Sequence, residues 1–287
     1  MKRRNYSSHT KRNYLNRLQH FLIWLPVAVE SATSEHIKIF IDVLLNRRLS
    51  PQTINGHLIA IRSFYRYLQE EEEQKIDNPV ISGLSLRLPK PLPRFLQDSE
   101  VRAFFSVISK QRDLAIFMLM LRCGLRVEEV ANLTLGAIDY KRNQIMVRCG
   151  KGAKDRLVYL YDDAAEALAD YLQLRPETDE HRVFLVEKGT YTGTPLSVRG
   201  IQKRAEYYSD KSSVHVSCHQ LRHTMATDLL NAGADILTIQ YLLGHSRIKT
   251  TLRYARLSNR RARMDYYQSM TTIMDTKGRM TAWNLRC

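Results

Sequence analysis

The stretch QIMVRCGKGAKDRLVYLY, residues 144–161, decides the fold class. QIMVRCG (144–150) and DRLVYLY (155–161) are rich in β-branched and aromatic residues and flank the glycine-bearing GKGA, so they read as the two strands of a hairpin. On both sides of this hairpin the apolar spacing is helical. Helices are expected upstream at 98–108, 112–123 and 126–133, and downstream at 162–173, 197–209, 219–232 and 235–243. One further short strand is expected at Val183–Leu185. The chain therefore reads as mainly α with a small antiparallel β-sheet.

Further out, LRLPKPLPRFL (86–96) carries three prolines at alternate positions and three basic residues. Proline cannot continue a helix and restricts its predecessor, so this segment reads as an extended linker. Before it come three helices. One covers 5–24; a second covers 34–47, with Ser34 as its cap. The third has the strongest start signal: Ser50 can cap, Pro51 suits the first turn, and Ile54, Leu58, Ile61, Phe64, Tyr65 and Leu68 form an apolar stripe. Asn55, His57, Arg62 and Arg66 fall off that stripe, and EEEE (70–73) reads as a solvated helix end. The expected organisation is a helical domain over 1–85, a linker over 86–96, and a mixed domain over 97–287 with a tail from about residue 265.

At 287 residues the chain can bury two cores, and no run of about 18 apolar residues suggests a membrane span. FLIWLPVAV (21–29) is short and broken by Pro26. The basic start MKRRNYSSHTKRNYLNR has no apolar signal core behind it, so a cytoplasmic protein is expected. Cys123, Cys149, Cys218 and Cys287 have neither a CxxC pair nor framework spacing, which fits free thiols. The charge is distinctive. Lys and Arg outnumber Asp and Glu by 44 to 29, and the excess is shared: residues 1–94 hold 15 basic and 8 acidic side chains, residues 95–287 hold 29 and 21. An extended polyanion held by both halves accounts for this through phosphate contacts. Charge alone leaves a merely basic soluble protein equally open.

Four local patterns carry candidate chemistry. In CGLRVEEVANL (123–133), Arg126 and Glu129 lie one turn apart, which alone describes a surface ion pair. GKGAKDR (150–156) is not a nucleotide-binding loop, since GxxxxGKS/T must open a helix and here a strand follows. In HQLRHTMATDLL (219–230), His219 and Arg222 project from one helix face. His219 and His223 have zinc-helix spacing, but Gln220 stands where HExxH requires its glutamate, and a set of His215, Cys218 and His245 is a weak alternative; no metal is expected. In LLGHSRIKTTLRY (242–254), Tyr254 follows His245 by nine residues, and a lone tyrosine is usually packing.

Taken in order, Arg126, Lys151, His219, Arg222, His245 and Tyr254 match the Arg–Lys–His–Arg–His–Tyr constellation, and the chain resembles the tyrosine recombinase (lambda-integrase) family. GLRVEEVANL, GKGAKDR, HQLRHTMATDLLNAGADI and LLGHSRIKTTLRYAR are similar to its motif blocks, and SPQTINGHLIAIRSFYRYL (50–68) to its N-terminal core-binding domain. The resemblance implies a two-domain DNA clamp and a site-specific recombinase working through a 3′-phosphotyrosyl intermediate, without cofactor. It implies Tyr254 as nucleophile, Arg126 and Arg222 on the scissile phosphate, Lys151 (or Lys154) as general acid, His219 as acid–base group and His245 as hydrogen-bond donor. Glu129 and His223 are implied in support, and Arg62, Arg66, Lys90, Lys154, Arg247 and Lys249 are candidate DNA contacts. The implied partners are duplex DNA bearing a recombination site and three further copies in a homotetramer, the tail docking on a neighbour or else on its own domain. With only about 90 residues before the linker, a simple resolvase or integrase is expected, acting on a mobile element or on replicon dimers. A type IB topoisomerase and a non-catalytic DNA-binding regulator are the competing readings.

Overall fold

The computed structural model describes residues 8–73, 75–88, 94–148, 155–245, 250–252 and 270–271. The chain forms two compact units, Met1–Pro91 and Leu92–Cys287.

The first unit is built from α1 (Ser8–Trp24), α2 (Ser34–Asn46) and α3 (Pro51–Glu71). Helix α3 begins as its cap chemistry dictates: Ser50 Oγ accepts the Thr53 amide at 3.2 Å and Pro51 opens the first turn. Helix α2 is capped by Thr33 rather than Ser34. Thr33 has an extended backbone (φ −115°, ψ 169°), Ser34 is already helical, and the Thr33 amide donates to His36 Nδ1 at 3.1 Å. Phe21, Ile37, Phe40 and Leu44 bury themselves against Ile54, Leu58, Ile61 and Tyr65, each such side chain stabilising the unit by roughly 1.5–3 kcal/mol.

Two residues read as off the α3 stripe hold the chain instead of facing solvent. His57 is buried because α1 crosses here: its Nδ1 lies 3.3 Å from the Arg17 carbonyl, and its ring meets Phe40 edge-on at 5.9 Å. Gly56 leaves room for the Arg17 guanidinium, which lies 2.6 Å from where a Cβ would stand. Asn55 exchanges two 2.8 Å hydrogen bonds with the backbone of Leu86, fastening the start of the proline-rich segment to this unit.

The second unit contains α4 (Asp98–Ser106), α5 (Gln111–Arg122), α6 (Val127–Ala131), α7 (Asp162–Leu174), α8 (Val198–Ser212), α9 (Cys218–Asn231) and α10 (Ile236–Leu243). Helix α5 is apolar all round from Ala115 to Leu121 and is accordingly central, packed between α7 and α9. At its start Asp113 is fully buried, yet its carboxylate accepts from Arg112 (2.9 and 2.8 Å), Arg204 (2.7 Å) and Tyr208 (3.0 Å). A buried charge is tolerable when its lone pairs are matched in this way. Leu96, expected in the linker, is buried in this unit, its amide donating to Thr224 Oγ1 at 2.9 Å.

The hairpin strands form as expected, β2 (Gln144–Val147) antiparallel to β3 (Arg156–Tyr159), and a two-residue β1 (Ile138–Asp139) adds a third strand on the β2 side. Alternation puts Ile145, Val147, Arg156 and Val158 on the inward face. Val183–Leu185 does not form a full strand, only an isolated antiparallel bridge from Leu185 to Pro195. Its backbone is satisfied piecemeal: the Val183 amide by Leu133, the Leu185 amide and the Val183 carbonyl by the Tyr171 hydroxyl, and the Leu185 carbonyl by Arg112. No helix among the described residues is long and apolar enough to cross a membrane.

Candidate active site

Helix α10 ends on Gly244, which adopts the left-handed conformation (φ 58°) that glycine tolerates without strain. The last turn of a helix leaves carbonyls without intrahelical donors and carries the negative end of the helix dipole. Here three successive carbonyls each receive a different arginine. Leu242 accepts from Arg156 Nε at 2.8 Å, Leu243 from Arg222, and Gly244 from Arg126 at 3.1 Å. Arg222 also donates to the carbonyl of Gly124, another left-handed glycine (φ 64°), where a Cβ would stand 3.0 Å from Met225 and 3.1 Å from Leu243.

The same three cations surround one carboxylate. Arg126 is the N-cap of α6 and Glu129 lies in the first turn, so Glu129 accepts the Arg126 amide (2.8 Å) and its guanidinium (2.7 Å). Arg156 reaches in from β3 and binds both carboxylate oxygens, at 2.9 and 2.7 Å. Arg222 stands 3.9 Å away. Burial alone would raise the Glu129 carboxyl, but the hydrogen bonds and charge of Arg156, then those of Arg126, override it and hold the group at about 2. The Arg126–Glu129 pair is thus no surface ion pair: its side chains are 20% and 10% exposed. Among the described residues, three guanidiniums meet one carboxylate, a surplus of positive charge.

Two imidazoles share that field. His219 lies in the first turn of α9, three residues before Arg222, and its ring meets His223 edge-on at 4.8 Å. Burial, then the charges of Arg222 and Arg126, lower its pKa. His245 follows Gly244 directly, with Nδ1 3.0 Å from the hydroxyl of buried Thr251. Burial, then Arg222, Arg126, His223 and Arg156, push it down to about 4, so it is neutral at pH 7. Gln220, in the glutamate place of a zinc helix, is spent on the α9 cap: its Oε1 accepts the Ser217 amide at 2.8 Å.

The structure therefore brings together Arg126, Glu129, His219, Arg222, His223 and His245. Lys90, Lys151, Lys154, Arg247, Lys249, Tyr254 and nearly all of the tail lie outside the described residues. Of the candidate DNA contacts in the first unit, Arg62 donates to the Val80 carbonyl at 3.3 Å, and exposed Arg66 stands 3.9 Å from Glu70. Sequence reasoning missed Arg156. The signal was present, since period-two spacing from Val158 and Leu160 puts it on the buried face, where an arginine needs a buried acid.

Comparison with known proteins places the chain in a family. Residues 94–261 match the phage integrase family and residues 1–72 match the phage integrase N-terminal SAM-like domain. The tyrosine recombinase XerC of Bacillus subtilis (strain 168) is 33% identical over 280 residues, covering 92% of this chain and 90% of the relative. The tyrosine recombinase XerA of Thermococcus onnurineus is 36% identical over 222 residues, 76% of each chain. Among solved structures, a XerA recombinase is 28% identical with a TM-score of 0.56, covering 94% of this chain and 95% of that one. The Tn1549 transposon integrase in complex with transposon right end DNA shares the fold, with a TM-score of 0.77 at 21% identity over 94% of this chain and 96% of that one. The family match and these relatives define an enzyme of site-specific DNA recombination. The chain belongs to the phage integrase family and is a tyrosine recombinase. Neither the topoisomerase reading nor the regulator reading is favoured by these relatives.

Proposed function

We propose that this recombinase cleaves and rejoins duplex DNA through a 3′-phosphotyrosyl bond at Tyr254. The observation that carries this reading is the surplus of positive charge where Arg126, Arg156 and Arg222 meet Glu129, beside two imidazoles shifted toward their neutral forms. Arg126 and Arg222 hold the non-bridging oxygens of the scissile phosphate and stabilise the charge that builds there, each worth a few kcal/mol, on the order of 10²–10³ in rate. The Tyr254 phenol attacks phosphorus and its proton passes to His219, whose neutral ring can accept it. The bond from phosphorus to the 5′ oxygen breaks, and Lys151 (or Lys154) supplies that oxygen with a proton. In this reading the Thr251 hydroxyl, 3.0 Å from Nδ1, is assigned as the donor, which leaves the hydrogen of neutral His245 on Nε2 to be donated to the phosphate. Attack by a second strand's 5′ hydroxyl runs the same steps backward, so neither metal nor nucleotide is consumed.

The basic character of both halves supports a clamp around duplex DNA, and the tyrosine recombinases among the relatives support a specific site within it. Domains over 1–85 and 97–287, joined by 86–96, suit that clamp, with Arg62, Arg66, Lys90, Lys154, Arg247 and Lys249 on the backbone. In this reading four copies assemble on paired sites in the cytoplasm, nucleoid-associated when bound, and exchange C-terminal segments to integrate, excise or resolve a mobile element or replicon dimer. Removal of residues after about 265 then spares DNA binding by the monomer and weakens synapsis; unchanged recombination rules the exchange out. The chemistry is tested with a substrate nicked near the scissile phosphate, so that the short released strand diffuses away. Wild type forms a covalent adduct, seen as slower migration on a denaturing gel, and Tyr254→Phe does not. An adduct in the variant refutes the assignment.

A further inference from the structure

We propose that Arg156 is a positioning residue for strand cleavage: it occupies both oxygens of Glu129 and the Leu242 carbonyl, so that Arg126 and Arg222 keep their charge and aim for the phosphate. The inference rests on the cleavage reading above and adds a residue to it. Arg156 is 4% exposed on the inward face of β3, opposite Val147, and so acts through its neighbours and not on DNA. Its two terminal nitrogens meet the carboxylate in parallel at 2.9 and 2.7 Å, while Nε meets Leu242 at 2.8 Å. That geometry spends a planar fork on one acid, which neither lysine nor a neutral side chain reproduces.

Without Arg156, the Glu129 charge falls on Arg126 and Arg222 alone. The carboxylate already holds Arg126 at 2.7 Å and has Arg222 at 3.9 Å, so an unshared anion draws both guanidiniums inward and cancels charge meant for the substrate. Arg156 also steadies the turn that receives the other two: a Cβ at Gly244 would stand 3.1 Å from its Cδ, and the neighbouring Leu243 and Gly244 carbonyls are the ones held by Arg222 and Arg126.

The test compares wild type, Arg156→Lys and Arg156→Met in single-turnover cleavage of two nicked substrates. One carries the ordinary phosphodiester. In the other, the scissile group is a methylphosphonate, which lacks the negative charge the guanidiniums neutralise. On the diester both variants slow by about 10²-fold while duplex affinity holds, and on the methylphosphonate the deficit shrinks to about tenfold or less. Equal deficits on both substrates overturn the proposal, because generally damaged folding does not depend on substrate charge. A folded Arg156→Lys that cleaves the diester within about threefold of wild type also overturns it, and so does failure of both variants to fold. A second readout needs no DNA. Arg156 is one of four groups, with Arg222, Arg126 and His223, whose charge lowers the His245 titration. By NMR its midpoint therefore rises in Arg156→Met, and an unchanged midpoint overturns the proposal. If wild type forms no adduct at all, the cleavage reading fails, and this titration still decides whether Arg156 shapes the field of the site.

Discussion

Replacing Glu129 with glutamine tests how the cationic cluster is held. The carboxylate accepts the Arg126 amide, the Arg126 guanidinium and both ends of Arg156, and it is the anion within 4 Å of all three guanidiniums. Glutamine keeps the shape but removes the charge and turns an N–H pair toward a cation. The carboxyl sits at about 2 where an unperturbed glutamate has 4.5, a difference worth about 3 kcal/mol. Removing one partner of a buried pair costs a similar 3–5 kcal/mol or so. Because the folded-state value is depressed, this stability is complete above pH 4.5 and fades as pH falls toward 2. The gap between wild type and Glu129→Gln should therefore be about 3 kcal/mol at pH 7 and about 2 kcal/mol at pH 3.5. Native-state amide exchange of the buried α5 backbone reads opening of this unit directly. A gap below about 1 kcal/mol at pH 7, or one that does not narrow on acidification, refutes the idea that one shared carboxylate balances the arginines.

Two further substitutions probe the supports of the site. Gly244→Ala forces a side chain into a left-handed position, at about 1–2 kcal/mol, and sets its Cβ 3.1 Å from Arg156. Thermal denaturation should show a lowered Tm, and adduct formation should slow; a neutral outcome in both would mean that the turn has slack. Asp113→Asn removes the charge that Arg112 and Arg204 share inside the unit and should cost about 3–5 kcal/mol by denaturant titration, against about 1 kcal/mol for Tyr208→Phe, which loses one hydrogen bond. Equal costs would show that the hydroxyl, not the ion pair, carries that node.

Much of this architecture was legible because local chemistry and global fold agree. Ser50–Pro51 marks a helix start by local chemistry alone, and the alternating apolar residues on either side of GKGA mark the two strands of a hairpin. His219 and Arg222 share a helix face by spacing alone. What escaped depends on partners distant in sequence. β1 is two residues long, too short for any period to register, and exists because Ile138 and Asp139 find Ile145 and Gln144. Val183–Leu185 has the composition of a strand, but it pairs only through an isolated antiparallel bridge from Leu185 to Pro195, and on its other edge the Tyr171 hydroxyl and Arg112 take the backbone groups. Thr33 caps α2 in place of Ser34, although serine is the better capping residue, because His36 supplies the acceptor for the Thr33 amide. Arg156 looked like one basic residue among several, and its distinction lies in reaching Glu129, 27 positions away.

The final turn of α10 works as a machinist's datum. Arg126 comes from the start of α6, Arg156 from a strand and Arg222 from α9, and each is gauged from that same turn, at Gly244, Leu242 and Leu243 in succession. Parts dimensioned from one common face do not accumulate one another's errors, whereas parts dimensioned in a chain do. A small shift of α9 thus displaces Arg222 against that reference, whereas a shift of α6 carries Glu129 with it and pulls on Arg156 as well as Arg126.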